Sequence, residues 1–183
     1  MSICFLDTEF TDLNAPRLLS IGMTSKSGAE FYSEIDLGLE EGKLRRVAST
    51  DFVQNVVLSQ WGMINGAEDS YWGMGRRAAE WLIQQTAEQG APIEVAYDYE
   101  ADFELLAAAI HNAGLWEQVS LVVHPVNIDR LIGTNEGELA LEAAFGELRA
   151  RRLFRHHALA DAIALREAYM ALARALNRRA PRT

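Results

Sequence analysis

The sequence predicts one α/β domain in which helices pack on a mixed β-sheet. The chain has 183 residues, 49% of them hydrophobic and 23% charged, which is typical of a single globular domain spanning 1–183. Three short apolar segments open the chain, and strand-like segments then alternate with amphipathic helical ones. No internal repeat, low-complexity tract or linker in the sequence indicates a domain boundary.

The first half of the chain supplies the opening strands. Short segments bounded by turn residues predict strands at 2–6, 18–24 and 30–35, and the turn at 25–28 makes the last two a hairpin. Residues 51–60 are predicted to be helical, with Ser49 or Thr50 as the cap. The glycine-rich, aromatic stretch 61–75 predicts an irregular loop.

In the second half, helices and strands alternate. A helix over 76–89 carries Ala78, Ala79, Leu82 and Ile83 on one face and ends at Gly90. A strand at 92–97 precedes a helix that ends near 113, with apolar residues at i, i+3, i+4 and i+7. A strand at 120–128 and helices at 136–149 and 157–177 complete the prediction. Three consecutive strands followed by alternating strands and helices imply a mixed sheet.

Composition also bounds the cellular setting. Cys4 is the only cysteine, so the chain forms no intrachain disulfide and a reducing cytosol is its expected home. No segment has the length of a transmembrane helix, and Asp7 and Glu9 occupy the place of a signal peptide's apolar region. We therefore expect a soluble cytoplasmic protein without a membrane partner.

Charge is unevenly distributed along the chain, whose formal net charge is −9. Residues 149–183 contain nine arginines against Asp161 and Glu167, a local charge of +7, which leaves −16 on residues 1–148. This division indicates a negatively charged site beside a positively charged rim. The alternative is a solvated final helix with a basic tail, which we favour for the last few arginines.

Asp7 and Glu9 follow the apolar segment 3–6 directly. Side chains two residues apart on a strand point to the same face, so both carboxylates can reach one point in space. Converging carboxylates repel each other unless a cation joins them, and hard oxygen ligands suit Mg²⁺ or Mn²⁺. Such pairs of acidic residues are common and mostly solvated, but the apolar segment 3–6 before this pair indicates that it lies at the end of a core strand.

A second acidic site opens the mid-chain helix. Asp102 precedes the inward-facing Phe103 and could point across to the first strand. Asp98 is interpreted as the cap of that helix, accepting bonds from backbone N–H groups. Capping is also the alternative role for Asp102.

A third site lies before the final helix, in the segment Arg155-His156-His157-Ala158-Leu159-Ala160-Asp161. Five residues at about 100° each leave His156 and Asp161 roughly 140° apart on an ideal helix. They converge only if His156 precedes the helix in a turn, an arrangement that fits a general base beside a fixed metal ligand. The alternative is an ordinary histidine before a helix with a surface aspartate.

The ordered set of Asp-x-Glu, a mid-chain aspartate at a helix start and His-x4-Asp at the last helix resembles the DEDDh exonucleases. That family includes proofreading exonuclease subunits, ribonuclease T and oligoribonuclease. The segments FLDTEFT and LLSIGM look most similar to the small bacterial 3′→5′ exoribonuclease group typified by a mycobacterial enzyme. The resemblance runs from residue 5 to about 170 and rests on the order of the motifs. Many relatives carry asparagine where Asp98 stands.

The resemblance implies a ribonuclease H-like fold, with a five-stranded mixed sheet whose first three strands form an antiparallel meander. It implies two Mg²⁺ or Mn²⁺ ions about 4 Å apart, and His156 as the general base. It also implies four metal-binding carboxylates: Asp7, Glu9, Asp102 and Asp161. His157 stands where a sister group carries tyrosine, and we favour His156 over it.

Substrate contacts follow from the same resemblance, which places Thr11 and Leu13 near the terminal nucleotide. Arg155, beside His156, could hold a phosphate, as could Arg151 and Arg152. The aromatic residues of 61–75 could stack on bases, or instead pin that loop or line a subunit interface: Trp61, Tyr71 and Trp72. An acidic surface with a small basic strip favours short single strands over long duplexes. The resemblance to exoribonucleases favours RNA over DNA as the substrate. Similar ribonucleases are commonly dimers, so we expect a homodimer.

The predicted function is a metal-dependent 3′→5′ exonuclease that releases 5′-mononucleotides, and an exoribonuclease on short or single-stranded RNA in particular. The alternatives are a DNA-directed exonuclease and a non-catalytic nucleic-acid-binding protein of the same fold. The presence of all five expected residues favours the enzyme. A haloacid-dehalogenase-like phosphatase would need an aspartate where Glu9 stands and a downstream lysine, whereas Lys26 and Lys43 both lie too early.

Overall fold

The computed structural model describes residues 2–179, with side chains as far as residue 176. The side chains of Arg178 and Arg179, and Arg182 as a whole, lie outside the described residues. The strands are β1 (Ser2–Phe10), β2 (Leu18–Ser25), β3 (Glu30–Ile35), β4 (Glu68–Asp69), β5 (Ile93–Tyr97) and β6 (Val123–Asn127). The α-helices are α1 (Glu40–Ala48), α2 (Tyr71–Gln89), α3 (Glu100–Asn112), α4 (Trp116–Val119), α5 (Asp129–Ile132), α6 (Asn135–Leu148) and α7 (Ala158–Arg179).

The strands form one six-stranded mixed sheet in the order β4-β3-β2-β1-β5-β6. The first three strands pair antiparallel, whereas β5 pairs parallel with β1 and β6 parallel with β5. The α/β class, the mixed sheet and the opening antiparallel meander are therefore confirmed. The predicted count of five strands was wrong, because the two-residue strand β4 adds to the outer edge of β3. Two residues are too few to carry a strand pattern in the sequence.

Helices cover both faces of the sheet around β1. Cys4 and Leu6 pack in one apolar cluster with residues of α2 and α3. Ile3 and Phe5 belong to another cluster, with Leu165 and Ala168 of α7. Because side chains alternate along a strand, residues 7 and 9 continue the face that meets α7. The packing of β1 in the core thus directs the side chains of Asp7 and Glu9 toward α7.

Gly22 lets α7 approach the sheet closely. It pairs with Asp7 in the β1–β2 register. A Cβ at this position would overlap the backbone of Ala158 and Leu159 at the start of α7. The missing side chain therefore brings the first turn of α7, and Asp161 with it, against the acidic end of β1.

Several helix boundaries differ from the predictions. Helix α1 and the short helices α4 and α5 were not predicted, and α2 begins at Tyr71 inside the predicted loop 61–75. Residues 51–60 are helical as predicted, but they are wound as a π turn, Val53–Val57, and a 3₁₀ turn, Leu58–Gln60. Thr50 caps this segment by accepting a hydrogen bond from Val53 N at 3.3 Å. Over residues 2–179, no helix is both long and apolar enough to cross a membrane.

Candidate active site

The site forms where β1 extends beyond its parallel neighbour. Pairing of β1 with β5 ends at Phe5 and Ala96, whereas pairing with β2 continues to Phe10. The strand therefore does not end at residue 6 as predicted, and Asp7 and Glu9 lie within it. The sheet is open on the β5 side of this extension, and that opening becomes a cavity.

Asp102 is fixed at the edge of this extension. Thr8 donates two hydrogen bonds to Asp102 Oδ1, from its backbone N at 3.1 Å and from its Oγ1 at 2.7 Å. Asp102 is 2% exposed. Within the described part of the chain, its other oxygen, Oδ2, is buried without a hydrogen-bond partner. One oxygen thus positions the carboxylate, and the second stays available for a ligand.

His156 precedes α7 in a tight turn, as the sequence analysis required. Its φ of 65° lies in the left-handed region, which is uncommon for a residue other than glycine. Its backbone N donates to Asp161 Oδ2 at 2.8 Å. This bond ties the turn to the first turn of the helix and brings the two side chains together.

Gln60, which was not predicted to be part of the site, holds the same turn from the other side. Its Nε2 donates to the carbonyl oxygens of Arg155 at 2.9 Å and of His156 at 3.1 Å. These bonds stabilise a backbone conformation that otherwise costs about 1–3 kcal/mol. No local pattern marks a glutamine that acts on residues 95 positions away.

The structure brings all five predicted metal-ligand and base residues into one cavity of about 440 Å³. The cavity also contains Asp98, which the sequence analysis interpreted as a helix cap. Two groups offer ligand atoms that all lie within 4.8 Å of one another: Glu9, His156 and Asp161, and Asp7, Asp98 and Asp102. Together they form a set of oxygen and imidazole donors suited to divalent cations.

The carboxylates of the cavity destabilise one another's charged forms. Burial, followed by repulsion from the neighbouring carboxylates, raises the pKa of Asp7 and of Glu9 well above the usual range. Burial raises the pKa of Asp102 to about 7, although the hydrogen bonds from Thr8 lower it. Burial also raises the pKa of Asp161 to about 7, against the lowering effect of the bond from His156 N. A bound cation would relieve this repulsion.

We predict that the metal-free protein becomes less stable as pH rises. Asp102 and Asp161 titrate near 7 in the folded state, against about 3.9 in an unfolded chain. Between these values the folded state holds protons that the unfolded state has lost, so the free energy of unfolding falls with increasing pH. Thermal unfolding in EDTA should give a higher Tm at pH 5.5 than at pH 8, and Asp161→Asn should reduce the difference. An unchanged difference in the variant would contradict these pKa shifts.

His157 is directed away from the cavity. Its side chain is 2% exposed and stacks on Tyr32 with ring centroids 4.4 Å apart. Burial lowers its pKa to about 4, so the imidazole is neutral at pH 7. His156 is half-buried and lines the cavity, and burial followed by Arg155 lowers its pKa as well. The position of the two rings agrees with a role for His156 rather than His157.

The three predicted substrate residues have different surroundings. Leu13 is exposed and lines an adjoining cavity of about 490 Å³, which is bounded by Phe52 and shares Glu9 and His156 with the first one. Thr11 is fully buried, and its Oγ1 accepts from Arg17 N at 3.1 Å. Thr11 therefore closes the loop that carries Leu13, and its position does not support the predicted contact with substrate.

Two of the three arginines predicted to hold a phosphate, Arg151 and Arg155, form ion pairs. Arg155 lines the cavity, and its Nη2 lies 2.7 Å from Glu142 Oε1, with the guanidinium over the Phe145 ring. Arg151 forms a two-bond pair with Glu30, at 2.8 and 2.7 Å. Of these two residues, Arg155 remains the candidate for binding phosphate.

The aromatic residues of 61–75 lie away from the two cavities. Trp61 Nε1 donates to Ile35 O at 3.0 Å, and the ring packs against the main core. Tyr71 lies under the guanidinium of Arg45, and Trp72 under that of Arg76. For Trp61 the structure therefore supports the role of pinning the loop.

In comparisons with known proteins, no family model and no curated protein matches this chain.

Proposed function

We propose that this protein is a metal-dependent 3′→5′ exonuclease that acts on short or single-stranded RNA and releases 5′-mononucleotides. One observation carries the proposal: two groups of metal-ligand atoms, one of which includes a half-buried histidine, line one cavity. The groups come from three separate parts of the chain, namely the end of β1, the segment after β5 and the start of α7.

The residues present fit divalent cations. Asp102 Oδ2 is buried and lacks a hydrogen-bond partner among the described residues. Burial and mutual repulsion raise the pKa of the surrounding carboxylates. Oxygen ligands of this kind suit Mg²⁺ or Mn²⁺. The residues that would hold the ions are Asp7, Glu9, Asp102 and Asp161. Such ions, when bound, lower the pKa of water and stabilise charge on the reacting phosphate.

His156 is the proposed general base, which accepts the proton of the attacking water. A base must be neutral, and the lowered pKa of His156 keeps it so at pH 7. Gln60 and Asp161 hold its backbone turn and thereby set the position of the ring. A phosphate of the substrate would compete with Glu142 for Arg155, whose planar guanidinium binds phosphate in a bidentate manner.

The adjoining apolar cavity supplies a site for the terminal nucleoside. Leu13 and Phe52 are exposed apolar side chains on its wall, and Phe52 contacts the His156 ring edge-on at 5.0 Å between centroids. Bases bind to such surfaces by stacking, with little dependence on sequence. A base in this cavity would place its phosphate near Glu9 and His156, which both cavities share.

We further propose that the fold is ribonuclease H-like. Three antiparallel strands followed by two parallel strands, in the spatial order β3-β2-β1-β5-β6, support this assignment. The helices on both faces of the sheet support it as well. The preference for RNA over DNA and the homodimer remain predictions, to be checked by substrate competition and by native mass spectrometry.

The chemistry of the product tests the proposed function. Attack on the last phosphodiester bond with the 3′-oxygen as leaving group must release nucleoside 5′-monophosphates. We expect chromatography of a digested 5′-phosphorylated RNA oligonucleotide to show 5′-monophosphates only, and 5′-labelled RNA to shorten stepwise from its 3′ end. A circular RNA serves as the control and should stay intact. Release of 3′-monophosphates, or cleavage of the circle, would overturn the proposal.

A further inference from the structure

Asp98 is an additional carboxylate in the cavity. From the sequence it was interpreted as a helix cap. It lies directly after β5, where the parallel strand stops and β1 continues alone. Its carboxylate, with those of Asp7 and Asp102, forms a group whose ligand oxygens all lie within 4.8 Å of one another. Burial, before any other cause, raises the pKa of Asp98.

The interpretation of Asp98 as a helix cap was wrong. Helix α3 begins at Glu100 with Tyr99 as its N-cap residue, and within residues 2–179 no side chain makes a capping hydrogen bond at that N-cap position. Asp98 stands one residue too early to be the cap. The start of α3 therefore does not account for a carboxylate turned toward the cavity.

A second observation points to a ligand at this group. Asp102 is 2% exposed, and Thr8 occupies its Oδ1 with two hydrogen bonds. Its Oδ2 has no partner in the part of the chain that the structure describes. A buried carboxylate oxygen left unpaired is costly unless a cation or a donor reaches it.

The group also lacks a compensating positive charge from the protein. Among the described residues, no arginine, lysine or histidine lies within ion-pair distance of Asp7, Asp98 or Asp102. Arg155 lines the same cavity but pairs with Glu142. Three converging carboxylates without a counter-charge are stabilised by a divalent cation.

We propose that Asp98 is a direct ligand of one of the two cations, so that Asp7, Asp98 and Asp102 form an all-carboxylate subsite. The inference rests on the proposed function, because the same cavity holds both ions. Three negative ligands give this subsite a higher charge than Asp7 and Asp102 alone would provide. The number of charged ligands is one means by which proteins tune affinity for hard cations. This subsite should therefore bind its ion more tightly than the other subsite does.

Calorimetric titration of the metal-free protein with Mn²⁺ tests this proposal without any measurement of activity. We expect wild type to bind two ions, and Asp98→Asn to weaken the tighter ion at least about tenfold while leaving the other unchanged. Asp129→Asn is the matched control, because Asp129 is exposed, acts on Asp98 only through its charge and lies outside the cavity. Its Mn²⁺ affinities should equal those of wild type.

Thermal unfolding gives a second readout. In EDTA, Asp98→Asn should raise the Tm because one repelling charge is removed, and Mn²⁺ should raise its Tm less than that of wild type. Asp98→Ser, tested in parallel, serves the same purpose if the asparagine variant does not fold. If wild type and Asp98→Asn each bind two Mn²⁺ ions with equal affinities, Asp98 is not a metal ligand, and the proposed function is unaffected. A wild-type protein that binds no Mn²⁺ would overturn the proposed function as well.

Discussion

Replacing Asp7 with alanine is expected to reduce metal-dependent cleavage by more than about 10²-fold, while leaving the fold intact. Asp7 belongs to one of the two groups of ligand atoms and lies on the same face of β1 as Glu9, and the charges of carboxylates in both groups, Asp102 and Asp161, act on it. Loss of its carboxylate would therefore disturb both metal subsites at once. Because burial and repulsion from its neighbours raise its pKa, its removal relieves repulsion in the metal-free protein. The Tm in EDTA should be equal to that of wild type or higher.

The assay for this prediction compares initial rates on single-stranded RNA at saturating Mg²⁺ or Mn²⁺, with circular dichroism to verify the fold. Asp7→Asn keeps the shape of the side chain and should lose as much activity, which separates charge from packing. Asp129→Ala is the control for removal of a nearby exposed acid and should retain the wild-type rate. An Asp7→Ala rate within tenfold of wild type would show that Asp7 is not an essential metal ligand.

The second large effect is expected at His156. If His156 is the general base, His156→Ala should lower kcat at least about 10²-fold, with Mn²⁺ affinity nearly unchanged because carboxylates hold the ions. His157→Ala should retain far more activity, because its ring stacks on Tyr32 away from the cavity. It removes a buried ring, however, and should cost about 3 kcal/mol or more of stability. His156→Ala thus mainly loses activity, whereas His157→Ala mainly loses stability.

The dependence of rate on pH identifies the same base. Only the neutral imidazole accepts a proton, so the rate should rise with pH and level off above the pKa of His156. Burial and Arg155 lower that pKa, so the rate should be half-maximal at a pH below the unperturbed value of about 6.5. Both alanine variants are compared with wild type at saturating Mn²⁺, at a temperature where His157→Ala is folded. A greater loss of kcat at position 157 than at 156 would show that His157 is the base.

The strands were predictable because their patterns are local. The core strands β1, β2 and β3 are bounded by turns, and the Ser25–Gly28 turn has Gly28 at a φ of 95°, as a tight hairpin turn requires. Helix α1 was missed because its sequence EEGKLRRVA is mostly charged, and its buried residue is Gly42. A helix without an apolar stripe gives no periodic signal.

The first turn of α2 was missed for a different reason. Gly73 and Gly75 lower the helix propensity of the segment, which predicts a loop. In the fold Ser70 caps this turn by accepting from Gly73 N at 3.0 Å. A Cβ at Gly75 would overlap the backbone of Ala109, so this glycine allows α2 and α3 to pack closely. Tertiary packing thus overrides propensity here.

The site residues were predictable where the spacing of acidic residues and their order along the chain form a recognisable pattern. The positions of Asp7, Glu9 and Asp161 follow from strand alternation and from a turn before α7. Gln60 and Asp98 were not identified as parts of the site, because their roles depend on distant residues. Gln60 acts on carbonyl oxygens of the turn before α7, and Asp98 joins carboxylates from β1 and α3. Contacts of this kind are set by the tertiary fold alone.

The most direct test of the proposed activity is a metal-dependent cleavage assay with purified wild type and Asp7→Ala side by side. The substrates are single-stranded RNA and DNA oligonucleotides labelled at the 5′ end, incubated with Mg²⁺, with Mn²⁺ or with EDTA. We expect wild type to shorten the RNA from its 3′ end with either metal, and EDTA or the Asp7→Ala substitution to stop the reaction. Wild-type protein that leaves both RNA and DNA uncut at saturating metal, or cleavage that is equal in Asp7→Ala, would contradict it.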